Sequence, residues 1–288
     1  MSTYESISVI IPVLNGEETI LRALDSINMQ TLKPKEVLVV DNGSTDQTVL
    51  LVEKYRSRCD FDLLIYHEPI KGVANARNLG IEQSSGEYIA FLDCDDVWMK
   101  KKLELQISAL NEFQVSFSCT ALLNRESLSV SSGLEIKSKR DLCKFNFVAT
   151  SSVMVRRTVI QSSAFFSNQS QFGEDWGAWI KALTITDCVF IKEPLVSYDR
   201  PAADKYSFEK VEKGLQASFN DAISVVGDKV TKGLLLSHYL NAHLVAYQIR
   251  RWDFKRSYFK ISLLCKSDYL IIIIKPIIRH VCSLVKFQ

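Results

Sequence analysis

This 288-residue chain is short of several things, and each shortage narrows what it can be. No apolar stretch reaches the roughly 18 residues that a membrane-spanning helix needs, so a bilayer-crossing segment is not expected. Its seven cysteines form no CxxC pair and keep no regular spacing, a pattern that argues against a disulfide framework and predicts free thiols. The opening Met1-Ser2-Thr3-Tyr4-Glu5 lacks the basic-then-apolar order of a secretory signal. Together these absences predict a reducing, cytoplasmic setting. No internal repeat is present, so the chain is not a repeat array.

What is present is ordinary in amount and uneven in placement. A hydrophobic fraction of 47% and a charged fraction of 24% suit a globular core, and the length suggests one large domain with an extension. The net charge of +2 hides two halves of opposite sign. Lys205 to Gln288 holds 14 Lys and Arg against 6 Asp and Glu, whereas Met1 to Asp204 holds 21 against 27. An acidic front and a basic tail suit a metal for one and an anionic membrane surface for the other, although solvated faces would look the same.

Along the first hundred residues, apolar β-branched runs alternate with helical patterns. Strands are predicted at residues 7–13, 36–40, 61–66 and 88–92. Helices are predicted at 17–29, from Thr45 or Asp46 to Tyr55, and at 73–83. That alternation implies βαβ units and a mainly parallel sheet, whose ligands bind beyond the carboxyl ends of the strands. The polar residues that follow three strands, Pro12 to Asn15, Asp41 to Ser44 and Asp93 to Asp96, are therefore expected to share one pocket. Further on, a helix is predicted at 101–113, strands at 115–122 and 151–155, a mobile loop at 127–139, and a helix at 175–183. A strand at 189–198 is expected at a sheet edge because of Pro194. From about Ser207 the pattern is helical, with breaks at Gly227-Asp228 and near Asp253.

The densest chemistry is Asp93-Cys94-Asp95-Asp96. Carboxylates this close repel one another, and a hard divalent cation such as Mg²⁺ or Mn²⁺ turns the repulsion into a site that can also neutralise a diphosphate. Capping of the next helix by Asp95 or Asp96 would equally explain the string. Four motifs then point one way. Ser8-Val9-Ile10-Ile11-Pro12-Val13-Leu14-Asn15-Gly16, Val39-Val40-Asp41-Asn42-Gly43-Ser44-Thr45-Asp46, Ala76-Arg77-Asn78-Leu79-Gly80 and Phe91-Leu92-Asp93-Cys94-Asp95-Asp96 resemble, in content, order and spacing, family 2 glycosyltransferases with the GT-A fold. The resemblance covers about residues 6 to 200. It implies a Rossmann-like α/β domain over 1–204, followed by a helical extension over 205–288.

The resemblance also implies roles. Pro12 and Asn15 would border the nucleotide, Asp41 would contact the base, Arg77 would lie near the base or diphosphate, Asp93 would sit near the ribose, and Asp95 would ligate the metal. The family often has Asp where this chain has Asn42. Glu174-Asp175, followed by Trp176, opens a helix and could merely cap it. In the family an acidic pair there supplies the base that deprotonates an acceptor hydroxyl, and Asp175 is the matching residue. The donor implied is a nucleotide-diphosphate sugar, a uridine one by default. The acceptor implied is a saccharide, lipid-linked in the assembly of bacterial surface polysaccharide. Many relatives carry a metal-binding histidine shortly after the position of Tyr198, and here Asp199, Arg200 or Asp204 stands nearby instead.

Two features of the tail stay apart from this reading. Gln248-Ile249-Arg250-Arg251-Trp252 fits the QxxRW string of processive synthases but is read as a helix terminus. Tyr269 to His280, aliphatic with basic residues and broken by Pro276, suits a segment lying in a membrane interface, so peripheral attachment to the inner face of the cell membrane is expected. Two other functions fit parts of the sequence. Asp93-x-Asp95-x-Val97 matches the nucleophile motif of haloacid-dehalogenase phosphatases, a motif that belongs on a first strand. A non-catalytic module that binds nucleotide sugars would keep the same motifs.

Overall fold

The computed structural model describes residues 5–123, 132–144, 146–160, 164–168, 173–198 and, of 217–226, all but 218 and 221. The QxxRW string and the interface segment lie outside the described residues.

Four parallel strands carry the first half. They are β1 (Ile7–Val13), β2 (Glu36–Asp41), β3 (Asp62–His67) and β4 (Tyr88–Phe91), in the order β3-β2-β1-β4. Between them run α1 (Ile20–Asn28), α2 (Thr48–Tyr55) and α3 (Val73–Gln83). Every residue of β1 is buried, because helices cover both faces of the sheet, and such strands read as continuous apolar runs. Ile7, Val9, Ile11 and Val13 point into one core with Leu24, Val39 and Leu103. Ile10 points into the other, with Phe91, Phe117 and Trp179. Helix α3 lies so close to β1 that a Cβ on Gly80 would come within 2.5 Å of Ile10 Cγ2. That glycine is required by contact.

Beyond β4 the sheet becomes mixed. The chain runs through β5 (Val97–Trp98), α4 (Lys102–Phe113), β6 (Phe117–Leu123), β7 (Leu134–Lys137), α5 (Lys139–Lys144), β8 (Met154–Arg156), α6 (Glu174–Ala182) and β9 (Cys188–Ser197). Strand β8 pairs antiparallel with both β4 and β6, and β9 runs parallel to β6. The α/β architecture is as expected, and the parallel character is confined to its first half together with the β6–β9 pair.

Three sequence expectations change. Strand β9 is interior, lying between β6 and the strands β5 and β7. Pro194 is tolerated because the register with β6 shifts on both sides of its partner Ala121, a bulge where no ladder donor is needed. The predicted loop at 127–139 contains β7, which pairs with β9. Finally, the residue before α4 is Lys101, so neither Asp95 nor Asp96 caps that helix. The start of the predicted extension is joined to the main fold: Phe219, Ala222 and Val226 are buried in the core that contains Trp176 and Trp179. Among the described residues no helix is long and apolar enough to cross a membrane.

Candidate active site

The carboxyl ends of β1 and β2 carry two loops that brace each other. Asn15, at φ 53°, accepts from Thr45 N–H at 2.8 Å, and its own N–H donates to Ser44 Oγ at 2.9 Å. Gly16 N–H donates to Thr48 Oγ1 at 2.8 Å. Glu17 N–H donates to Asp46 Oδ2, and the Glu17 carboxylate accepts from Gln47 N–H. Asp46 also accepts from Thr48 N–H at 3.0 Å, but the residue before α2 is Gln47, with no side-chain cap bond, so neither Thr45 nor Asp46 is the cap the sequence suggested. Asn15 is held by its bonds to Ser44 and Thr45 against the loop that follows Asp41, whereas Pro12 is buried within β1, paired with Val40.

Asp41 is nearly covered, with 7% of its side chain exposed. It accepts from the N–H groups of Ser44 and Gly43, and it faces His67 Nδ1 at 3.2 Å. Burial works against its charge, yet the bonds from Ser44, His67 and Gly43 prevail and hold its pKa below the ordinary value. Asn42 explains its own departure from the family. Its amide donates to the carbonyls of Glu68 and Ile70, each at 2.9 Å, and its Oδ1 accepts from Gly72 N–H at 2.7 Å. A carboxylate could not make the two donations. Asn42 therefore ties down the loop from β3 to α3.

The Asp93–Asp96 segment leaves β4 in the same direction and touches the first loop. Arg22 Nη2 donates to the Asp95 carbonyl at 2.7 Å, and a Cβ on Gly16 would sit 3.4 Å from Cys94 Sγ. Ser151, which the sequence did not single out, holds both ends of the segment. It accepts from Asp93 N–H at 3.0 Å and donates to Asp96 Oδ2 at 2.5 Å. Trp98 Nε1 in turn donates to the Ser151 carbonyl at 2.8 Å. Asp96 is fully buried and acts as an anchor. Burial and the charges of Asp95 and Asp93 push the Cys94 thiol up to about 12, so it remains protonated.

Arg77, expected beside the base or diphosphate, is turned inward instead. Its side chain is 4% exposed, donating to Asp93 Oδ1 at 2.7 Å and to Glu174 Oε1 at 2.6 Å. Its guanidinium lies over the Phe166 ring. Burial disfavours its charge, but Asp93 and Glu174 more than compensate and raise its pKa. Asn78, next along α3, exchanges two bonds with the backbone of Phe166. The Ala-Arg-Asn-Leu-Gly motif thus fastens β4, α6 and the 164–168 segment together.

Asp175 lies beside this clamp in the first turn of α6, whose preceding residue is Gly173. It accepts from Trp176 N–H at 2.8 Å and from Thr150 Oγ1 at 3.3 Å. The cap position of α6 is Gly173, with no side-chain cap bond, so Asp175 does not cap the helix but lies in its first turn. Burial and the neighbouring Glu174 push its carboxyl up to about 7, against the pull of Arg77 and the Trp176 N–H. The Tyr198 phenol marks where these groups meet. It is pushed up to about 12, first by burial and then by Asp93, Asp96, Asp175 and Asp95. The carboxylates of the Asp93–Asp96 segment and Asp175 of α6 therefore lie within electrostatic reach of one side chain that follows β9.

Among the described residues no three His, Cys, Asp or Glu side chains are grouped to hold an ion by themselves. Asp93 is bound to Arg77 and Asp96 to Ser151. Asp95 would supply a hard carboxylate oxygen, a donor that suits Mg²⁺ or Mn²⁺.

Residues 8–161 match the family described as Glycosyl transferase family 2. S. aureus TarS 1-349 in complex with UDP-GlcNAc superposes with a TM-score of 0.70 at 20% identity, covering 88% of this chain and 77% of that one. The mannosyltransferase PcManGT from Pyrobaculum calidifontis, in complex with GDP-Man and Mn²⁺, gives 0.60 at 18% identity, over 89% and 78%. The E. coli UDP-Glc:alpha-D-GlcNAc-diphosphoundecaprenol beta-1,3-glucosyltransferase WfaP is 32% identical over 185 residues, which cover 62% of this chain and 71% of that one. An uncharacterized glycosyltransferase of Rickettsia felis is 35% identical over 185 residues, 60% of this chain and 29% of its own. The chain spans less than half the length of several curated relatives, from 16% of one to 43% of another. It has the GT-A fold and belongs to glycosyl transferase family 2.

Proposed function

We propose that this chain is an inverting transferase that moves a sugar from a nucleotide-diphosphate sugar to an acceptor hydroxyl. The arrangement that carries the reading is Asp175 in the first turn of α6, bonded to Thr150 Oγ1 and beside the clamp of Arg77 with Asp93 and Glu174. Burial and Glu174 raise its carboxyl there to about 7. An acceptor hydroxyl is far too weak an acid to ionise alone, and a base that titrates near neutrality is matched to removing its proton. In this reading the acceptor oxygen attacks the anomeric carbon as Asp175 takes its proton. The bond to the diphosphate breaks on the opposite face, so the configuration inverts.

Asp95 would hold Mn²⁺ or Mg²⁺, which when bound neutralises charge on the departing diphosphate. Pro12, Asn15 and Asp41 would form the nucleotide end and Asp93 the ribose side. Arg77 would position Asp93 and Glu174 without touching the donor. The Mn²⁺ in the PcManGT complex supports such an ion. The UDP-GlcNAc in the TarS complex supports a uridine donor. The diphosphoundecaprenol-linked GlcNAc in the name of WfaP supports such a lipid-linked acceptor, which fits the basic, apolar tail. Residues 1–204 would then be the transferase domain and 205–288 a helical extension that holds it peripherally at the cytoplasmic face. Deleting residues after Ser267 should release the protein from anionic vesicles, and unchanged binding would end that part of the reading.

The phosphatase reading loses its footing, because Asp93 follows β4 and the first strand ends in Val13. The decisive test is a thermal-shift screen of nucleoside diphosphates with and without Mn²⁺, on the wild type and on Asp95→Asn. A rise in melting temperature that needs both the metal and Asp95 supports the reading. No response to any diphosphate sinks it.

A further inference from the structure

The residue expected to read the base, Asp41, has little surface left to do so. Its side chain is 7% exposed, whereas that of its partner His67 is 64% exposed. Strands β2 and β3 run parallel with Asp41 directly opposite His67, so the imidazole stands at the strand ends over the carboxylate. Backbone N–H groups of Ser44 and Gly43 already occupy Asp41 from below. Asn42 fixes the loop after His67 through Glu68, Ile70 and Gly72. Among the described residues, the contact with Asp41 is the ring's only hydrogen bond.

We propose that His67, oriented by Asp41, is the residue that selects the base of the donor. The inference rests on the reading above that a nucleotide sugar binds here. Its chemistry follows from the pair. A carboxylate facing Nδ1 favours the tautomer that carries its proton there, which leaves Nε2 of the neutral ring as an acceptor. An outward acceptor matches a ring N–H. Uracil and thymine offer one at N3 and guanine offers one at N1. Cytosine and adenine instead present an unprotonated nitrogen at that edge, and two acceptors facing each other leave both unsatisfied. The site therefore takes bases with an imide or lactam N–H and rejects the others.

The test compares dissociation constants for UDP, GDP, CDP and N3-methyl-UDP on the wild type, His67→Phe and His67→Gln, in the same metal buffer. His67→Phe keeps a ring and removes the nitrogens, and an exposed position should tolerate it. The wild type should prefer UDP or GDP over CDP and N3-methyl-UDP, and His67→Phe should shrink that preference by about tenfold. Its affinity for CDP should change little, because the diphosphate contacts remain. His67→Gln retains an acceptor and should keep part of the preference, which a purely structural role would not predict. Undiminished discrimination in His67→Phe overturns the proposal and returns base reading to another group. Failure of every diphosphate to bind the wild type overturns the nucleotide-sugar reading itself, and this inference with it.

Discussion

The two sides of the site contain the same side-chain chemistry in opposite states. On the β1–β2 side, Asp41 and Asp46 are held below the ordinary carboxylate range by N–H and hydroxyl donors of the loops, which outweigh burial. On the β4–α6 side, Asp175 is raised to about 7 by burial and the adjacent Glu174. The contrast comes from how the negative charge is matched. Each carboxylate on the first side has several fixed donors of its own. On the second side Asp93, Glu174 and Asp175 all lie around Arg77, and that cation is bonded to the first two. Asp175 accepts instead from Trp176 N–H and Thr150 Oγ1, and burial and Glu174 raise it. A family-2 scaffold thus makes an inert carboxylate and a candidate base from the same residue type.

Removing the cation should break that contrast most severely. Arg77→Met would leave Asp93 and Glu174 without their partner, and breaking a buried pair in this way costs about 3–5 kcal/mol. Denaturant unfolding should register the loss together with loss of transfer. A variant within about 1 kcal/mol of the wild type would show that the clamp is not a strut. Asp175→Asn should lower kcat by about 10²–10⁴-fold while UDP binding is retained, read by product formation beside titration calorimetry. Equal turnover would remove Asp175 from the chemistry.

The pH dependence sharpens the same point. Transfer should rise with pH through about 7 as Asp175 loses its proton, and the surviving activity of Asp175→Asn should lack that step. The stability signs are opposite on the two sides. Because the folded value of Asp175 lies above the unfolded one, the folded chain holds a proton that the unfolded chain releases. Stability therefore declines as pH rises from the ordinary carboxylate range to about 7. Asp175→Asn should flatten that decline. Asp41, whose value is lowered, contributes stability above its unfolded value and loses it as pH falls through the folded one. The smallest effect expected is for Asn42→Asp. The carbonyls of Glu68 and Ile70 would lose their donors and face a charge, at about 1–3 kcal/mol. Thermal unfolding measures it, and an unchanged Tm would mean that the loop is held by other bonds.

Much of this was legible in the chain order. Apolar runs closed by Asn15, by Asp41 to Ser44 and by Asp93 to Asp96 placed three polar segments at strand ends. A sheet whose first four strands run parallel must bring such ends to one side. His67 was missed although the same rule reaches it, since it ends β3 directly opposite Asp41. Ser151 could not have been found that way. It enters from a short helical turn before β8, far in sequence from Asp93 and Asp96, and its hydroxyl is informative only once those atoms are adjacent.

Local periodicity and turn chemistry, which act over a few residues, determined where strands begin and end and which carboxylates stand at their mouths. The tertiary structure decided which way Arg77 turns, what faces Asp41 and how deeply Asp175 is buried. Arg77 faces inward onto Asp93 and Glu174, His67 faces Asp41 from the next strand, and burial is the largest cause that raises Asp175. The lowering of Asp46, by contrast, comes chiefly from Thr48 two residues away. Burial and contacts between distant segments arise only from packing and are not properties of a residue and its sequence neighbours.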